Sequence, residues 1–269
     1  MISGKKIVLT GANSGIGLEV LKLLVQGDNK ILAVDLRTDK IATFDPKKVV
    51  PMVCDVSSKE GVDAIFDEAE KSLGGIDIFY ANAGFPYYET FDYVDWGRTA
   101  HIFETNVFSP IYSYQKYREY LAGKEGQFAM TVSAIGKMGM PGYALYSSSK
   151  FAVQGFQQAL RLEMPKNIKM TCLYPVATDT NFFKAAVQGQ EGKVIRQKPF
   201  PVQKPAHVAK AMVKGLERKK KYVNPCKLFS FAMALFAVMP FVRSIYWAME
   251  KKKLDNFAAQ TAAAGKDAK

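Results

Sequence analysis

Between residues 10 and 17 the chain reads Thr10-Gly11-Ala12-Asn13-Ser14-Gly15-Ile16-Gly17. Before this turn lies a short apolar segment, Lys6 to Thr10, with the pattern of a buried strand; after it, Ile16, Val20, Leu23 and Leu24 recur with helical spacing. A strand that feeds a helix through a glycine turn limits the fold sharply. The missing β-carbons let backbone amides approach an anion, and the helix dipole favours its charge, so the segment reads as a pyrophosphate cradle. Three glycines and a threonine at fixed spacing should arise by chance in well under roughly 1% of chains.

The alternation continues. Lys30 to Asp35, Val49 to Cys54, Ile76 to Ala81, Gly126 to Ser133 and Ile168 to Tyr174 read as strands, which with the first makes six. Lys59 to Ser72, Thr99 to Leu121 and Tyr146 to Glu163 read as helices between them. This order predicts an α/β fold, a doubly wound parallel sheet of Rossmann type covered on both faces. A chain of 269 residues, 48% hydrophobic, fits one catalytic domain over residues 1–225, with a substrate loop at 181–205, an apolar helical extension at 226–253 and a flexible tail at 254–269.

Cys54, Cys172 and Cys226 are far apart, odd in number and lack CxxC spacing, which argues against a disulfide framework and against a metal site. The first residues are too short and too soon interrupted for a signal peptide, so a cytoplasmic location is expected. The net charge of +12 is concentrated: twelve Lys or Arg against two acids fall between Lys204 and Lys253.

Asp35 ends the second strand about twenty residues past the glycines, where an acid can bind ribose hydroxyls and repel a 2′-phosphate. That favours NAD over NADP, with Arg37 as the opposing feature. Tyr146-Ser147-Ser148-Ser149-Lys150 opens a helix and puts a phenol and an ammonium on one face. An adjacent ammonium favours phenolate and brings a tyrosine closer to use as an acid and base near neutral pH. Alone, the motif is weak, since a Tyr-x-x-x-Lys is expected about once by chance in a chain this rich in both residues.

The spacing Thr-Gly-x-x-x-Gly-Ile-Gly resembles the fingerprint of the short-chain dehydrogenase/reductase family. Further matches run through most of residues 5–180: Cys54-Asp55-Val56, Asn82-Ala83-Gly84, Asn106, Ser133 at thirteen residues before Tyr146, and Pro175 to Thr180. The resemblance implies that Gly11, Asn13, Ser14, Gly15, Ile16 and Gly17 hold the dinucleotide with Asp35. It implies that Asp55 and Val56 flank the adenine and that Asn82, Ala83 and Gly84 line the cleft. Ser133 would bind the substrate oxygen, Tyr146 exchange its proton, Lys150 bind the nicotinamide ribose and lower the tyrosine pKa, and Asn106 hold a water leading from Lys150 to solvent. Pro175, Thr178 and Thr180 would contact the nicotinamide end, although Val176 stands where the family has glycine. Dimers or tetramers through the two long helices, Thr99 to Leu121 and Tyr146 to Glu163, are the implied assembly.

Leu228 to Val242 is an apolar run flanked by Lys219-Lys220-Lys221, Arg243 and Lys251-Lys252-Lys253, and it contains Pro240. At about fifteen residues it is short for a bilayer span. Two uses stay open: a helix lying on an anionic membrane surface, at the inner face of a membrane, or a subunit contact or pocket lid. Both point to an apolar alcohol or ketone substrate, of steroid, retinoid or long-chain type. The rivals are an NADP(H)-dependent carbonyl reductase and a non-catalytic NAD-binding protein at a membrane surface. Nucleic acid is not expected, because the basic residues flank Phe- and Met-rich sequence.

Overall fold

The computed structural model describes residues 1–187, 189, 190, 195 and 200–260. Seven parallel strands form one sheet in the order β3-β2-β1-β4-β5-β6-β7: β1 (Lys6–Thr10), β2 (Lys30–Asp35), β3 (Val49–Val53), β4 (Ile78–Ala81), β5 (Gly126–Thr131), β6 (Ile168–Leu173) and β7 (Tyr222–Val223). Ile7, Val8 and Leu9 are all fully buried, as a parallel strand covered on both faces requires. Their side chains alternate between two cores. Val8 joins Val62, Ile65 and Phe66 of α2 (Lys59–Leu73) on one face. Ile7 and Leu9 join Val20, Leu21 and Leu24 of α1 (Gly15–Leu24) on the other.

The strand order reverses direction between β1 and β4, so the carboxyl ends of these two strands open a crevice, the place where such sheets bind ligands. β7 is missing from the sequence reading because two residues carry no periodicity.

The expected helix Thr99 to Leu121 starts earlier and is not uniform. It comprises α3 (Trp96–Phe103), a wider π turn at Glu104–Phe108, and α4 (Ser109–Leu121). Pro110 has no amide hydrogen for the carbonyl of Asn106 four residues back, and the π turn takes up the fault there. α5 (Ala144–Glu163) carries Tyr146 in its first turn.

The substrate-loop segment 181–205 holds the short helix α6 (Phe182–Ala185), and the strand-like pairing of Thr178 with Gln203 closes its base. Residues 188, 191–194 and 196–199 of it lie outside the described residues. α7 (Pro205–Glu217) then covers the sheet face shared with α1.

The C-terminal segment differs from the expected arrangement. α8 (Lys227–Val238) ends before Pro240, the chain bends by 120°, and Pro240 opens a second helix, α9 (Pro240–Ala258). Proline is preorganised for a helix's first turn, so it begins a new helix here rather than kinking one. α9 also runs past the expected start of the tail at 254, because Leu254 and the buried Phe257 pack into the aromatic cluster with Tyr88 and Tyr143. Residues 261–269 lie outside the described residues. Among the described residues no single helix is long and apolar enough to cross a membrane.

Candidate active site

The glycine turn is built by close approach. A β-carbon on Gly17 would lie 2.0 Å from the Gly11 carbonyl oxygen, and one on Gly11, at φ +67°, would lie 2.9 Å from the Ala83 Cα. The Thr10 hydroxyl accepts the amides of Asn82 and Ala83 at 3.0 Å each, while Asn82 Nδ2 donates back to the Thr10 and Gly11 carbonyls at 3.1 and 3.3 Å. The ends of β1 and β4 are thereby locked together. Ser14 precedes α1 without a capping side-chain bond, so Gly15 and Ile16 open the helix with their amides toward the crevice end. These features fit a dinucleotide pyrophosphate, since a side chain at either tight glycine would fill the cradle.

Asn13 uses its whole amide inside the protein. Its Oδ1 accepts from the Lys40 and Ile41 amides at 2.9 and 3.2 Å, and its Nδ2 donates to Asp39 at 2.7 Å, a bond that lowers the Asp39 pKa. Its main-chain N–H donates to Asp35 Oδ2 at 2.9 Å. Asn13 therefore clasps the loop after β2 to the glycine turn and fixes Asp35 at the far end of the crevice. Farther along, Asp55 is exposed and caps the Ser57 amide at 2.9 Å, while Val56 is buried under it.

At the centre, Ser133 sits just beyond β5 at φ +84°, a backbone region that non-glycine residues rarely occupy. Its hydroxyl donates to the Pro175 carbonyl at 3.5 Å and accepts from the Ile135 amide at 3.4 Å. Burial pushes the Tyr146 phenol up to about 12, and the nearby Ser133 side chain works against that rise. Lys150, one helical turn on, has its ammonium 5.8 Å from the Tyr146 ring centre and donates to the Thr131 carbonyl at 3.1 Å. Burial brings Lys150 down to about 8.

Asn106 lies in the π turn, 1% exposed. Its Oδ1 accepts from the Phe85 amide at 3.1 Å, and its Nδ2 donates to the Phe85 carbonyl at 2.9 Å and to the Ser149 hydroxyl at 3.1 Å. Ser149 donates in turn to the Tyr146 carbonyl at 2.8 Å. Asn106 thus ties the segment after Gly84 to the helix of the tyrosine. A β-carbon on Gly84 would meet Asn106 Oδ1 at 2.9 Å and Lys150 Nζ at 3.5 Å, so this glycine leaves the ammonium its space.

The segment after β6 joins the same centre. The Pro175 carbonyl accepts the Ala134 amide at 2.9 Å. Val176, in the family's glycine position, packs its side chain against Ala134, Cys226, Phe229 and Met233, and so turns toward α8. Thr178 is buried, with its hydroxyl given to the Val176 carbonyl at 2.9 Å. Thr180 lies over the glycine turn: its methyl would be 3.3 Å from a β-carbon on Gly15, and its hydroxyl accepts from Phe182 at 3.2 Å. A cavity of 630 Å³ opens there, lined by Gly15, Glu19, Thr180 and Phe183 among others.

Several contributors carry no sequence signal. Thr131 anchors Lys150 through its carbonyl, a role any residue could fill. Tyr88, Tyr143, Phe182 and Phe257 roof Tyr146, with ring centres of Tyr143 and Phe182 at 6.1 and 5.4 Å from that of Tyr146. The π turn, in contrast, was readable from Pro110, four residues after Asn106.

Residues 5–191 match the family model for short chain dehydrogenase. The chain belongs to this family. Like its members, this short chain dehydrogenase is an NAD(P)-dependent oxidoreductase acting on CH–OH groups. It is 29% identical over 228 residues to a 3-dehydrosphinganine reductase of Danio rerio, covering 79% of this chain and 68% of that one. It is 25% identical over 242 residues to an 11-beta-hydroxysteroid dehydrogenase of Pinus massoniana, covering 83% and 67%. With human epidermal retinol dehydrogenase 2 the identity is 26% over 251 residues, covering 89% and 79%. In fold it is similar to a short chain dehydrogenase/reductase of Burkholderia phymatum in complex with NAD, with a TM-score of 0.76, 19% identity, and coverage of 90% of this chain and 97% of that one. A Burkholderia cenocepacia short chain dehydrogenase in complex with NADP gives a TM-score of 0.68 at 22% identity, covering 82% and 96%.

Proposed function

We propose that the chain transfers hydride between NAD(H) and a lipophilic secondary alcohol or ketone of steroid, retinoid or long-chain type. The observation that carries this reading is Lys150 one helical turn from Tyr146, its ammonium 5.8 Å from the ring centre, with Ser133 just beyond β5 and the tyrosine placed under a roof of Tyr88, Tyr143, Phe182 and Phe257. An aromatic roof excludes water and selects apolar substrates. Relatives named for sphinganine, steroid and retinol chemistry support the same class.

Gly11, Ser14, Gly15, Ile16 and Gly17 would hold the pyrophosphate, Asp35 the adenosine ribose, Asp55 and Val56 the adenine side, and Asn82, Ala83, Gly84, Pro175 and Thr180 the nicotinamide side, with Asn13 and Thr178 shaping the turns that present them. The nicotinamide ring supplies the hydride acceptor or donor when bound. Ser133 holds the substrate oxygen by a hydrogen bond. Tyr146 gives that oxygen its proton in the reductive direction and takes it in the oxidative one. Lys150, held by Thr131, would favour the phenolate by its charge when its amine is protonated. Asn106 positions α5 and Phe85, and its main-chain carbonyl, left without an α-helical donor by Pro110, is the site for the water that returns the proton to solvent.

The preference for NAD rests on Asp35, whose carboxylate would repel a 2′-phosphate. A peripheral contact with the inner, anionic face of a membrane is favoured by one observation: α8 and α9 expose Phe231, Val238, Phe241, Ile245 and Met249 between basic flanks. A homodimer or tetramer through α4 and α5 is supported by the exposure of Phe108, Phe151 and Leu162.

The test is a panel of apolar alcohols and ketones assayed with NAD(H) and with NADP(H), following reduced-nicotinamide absorbance. Turnover of a steroid, retinoid or long-chain member with NAD(H) is expected. Turnover restricted to small polar alcohols would overturn the substrate class. Co-sedimentation with anionic but not neutral vesicles is expected of the membrane contact, and lack of retention on both removes it.

A further inference from the structure

Above the catalytic tyrosine, two segments that carry no motif are stitched together. The Tyr88 amide donates to the Ala186 carbonyl at 2.8 Å, the Glu89 amide to the Gly142 carbonyl at 2.9 Å, and Gln190 Nε2 to the Tyr88 carbonyl at 2.8 Å. Within this seam lie two buried oxygen acceptors with nothing to accept. Glu89 is 5% exposed; its Oε2 takes Arg98 Nε at 2.9 Å and Nη2 at 2.5 Å, while Oε1 has no partner. Gln190 is 6% exposed, and its Oε1 also has none. Its amide orientation is fixed chemically, because the Tyr88 carbonyl can only accept and so requires the nitrogen. A buried acceptor left without a donor is costly, and native proteins seldom keep one without a use.

We infer that Glu89 and Gln190 form a polar subsite for a hydroxyl group of the substrate, which makes that substrate a lipophilic ketone or alcohol with a second hydroxyl remote from the reacting carbon. This rests on the proposed function and narrows it. Two acceptors call for a donor. The donor is neutral, because the Glu89 charge is already matched by Arg98, itself held with its guanidinium carbon 3.8 Å from the Tyr87 ring centre, and a second cation would meet that guanidinium. The position suits a long substrate. From Tyr146 the aromatic lining passes to Tyr143 at 6.1 Å and on to Tyr88 at 4.8 Å, whose carbonyl Gln190 holds. A substrate lying along these rings with its carbonyl at Ser133 would bring its far end to the seam.

The experiment uses the full chain and matched ketones: a keto-steroid with and without a distal hydroxyl, and a long-chain ketone in its plain, hydroxylated and amino forms, each with NADH and NADPH. The hydroxylated members should exceed the plain ones by at least tenfold in kcat/KM, since a site built to hydrogen-bond a hydroxyl rejects the analogue lacking it. Gln190→Met, similar in size but without the acceptor, should bring that ratio toward unity while turnover of the plain ketones persists. Equal turnover of hydroxylated and plain ketones by the wild type would overturn the subsite and leave the proposed function standing. Preference for the ammonium form would overturn its neutrality. Failure to reduce any ketone with either dinucleotide would remove the underlying reading as well. The wild-type comparison needs no variant, so a misfolded Gln190→Met does not protect the inference.

Discussion

The crevice has two walls made in different ways. The dinucleotide wall is main chain and short side chains at fixed contacts: Gly11 against Ala83, Gly17 against Gly11, Thr10 against Asn82. The substrate wall is aromatic packing, with Tyr88, Tyr143, Phe182 and Phe257 drawn from four separated stretches. The first wall tolerates few residue types because a single β-carbon closes it. The second tolerates many, because apolar packing accepts most side chains of the right volume. The proposed catalytic centre sits where they meet, and variants on each side should fail differently.

The largest effect is expected at the junction. Tyr146→Phe keeps the ring packing and removes the proton donor, so kcat should fall by about 10²–10⁴. Dinucleotide affinity, read by quenching of protein fluorescence, should stay within about threefold. Retained turnover would break the assignment of the acid and base.

On the dinucleotide wall, Gly17→Ala would force a β-carbon to within 2.0 Å of a backbone oxygen, which no side-chain movement relieves. A loss of ~2–4 kcal/mol in stability is expected, along with loss of the melting-temperature rise that NADH gives the wild type. If the variant melts and binds as the wild type does, the cradle is not tight. On the substrate wall, Phe257→Ala should cost ~2 kcal/mol, less than a central core phenylalanine because α9 ends one residue later. Here KM for an apolar ketone should rise while NADH affinity stays unchanged. An equal loss of both would erase the distinction between the walls.

This difference also decides what the sequence could disclose. The turn Thr10–Gly17, Asp35, Asn82–Gly84 and the Ser133, Tyr146, Lys150 set were legible because backbone approach and proton transfer require particular residue types at particular offsets, and the strand–helix alternation required a parallel sheet. The π turn was latent in Pro110. The roof was illegible: nothing local to Tyr88 or Phe257 says that the end of helix α9 packs against Tyr88 and Tyr143. Pro240 shows the limit well, since the same residue kinks one helix or starts another, and only packing of Trp247 on the Gly139 carbonyl, at 2.9 Å, and of Phe257 on Tyr88 settles which.

Lys150 gives a smaller effect with a definite pH signature. Burial holds its folded pKa at about 8, below the ordinary 10.5, so the unfolded chain binds the proton more tightly. Its contribution to stability is therefore favourable above about pH 10.5 and is lost as the pH falls through about 8. Lys150→Met removes that penalty. At pH 7 the variant without cofactor should be more stable by ~1 kcal/mol, with a flatter dependence between pH 8 and 10 in urea titrations, while turnover is lost. A destabilised variant at pH 7 would mean the ammonium is better solvated than its burial implies.

The smallest effect is expected at Asp35, and it sharpens the comparison most, because it reads a choice made wholly on the dinucleotide wall. The carboxylate is held by the Asn13 amide at 2.9 Å and faces the Arg37 amide at 3.4 Å, with ionised Asp39 tied to the same Asn13. Two negative groups there disfavour a 2′-phosphate; the exposed Arg37 favours one. Asp35→Ser removes one negative charge and leaves the arginine, so the kcat/KM ratio of NADPH to NADH should rise about threefold, less than one full charge interaction at a solvated site. Because the effect is electrostatic, it should shrink as salt is raised, and KM for the ketone should not move. A wild type that already prefers NADPH would mean that Arg37 outweighs both acids, and a ketone KM that shifts with Asp35 would mean that the walls are coupled through the clasp of Asn13.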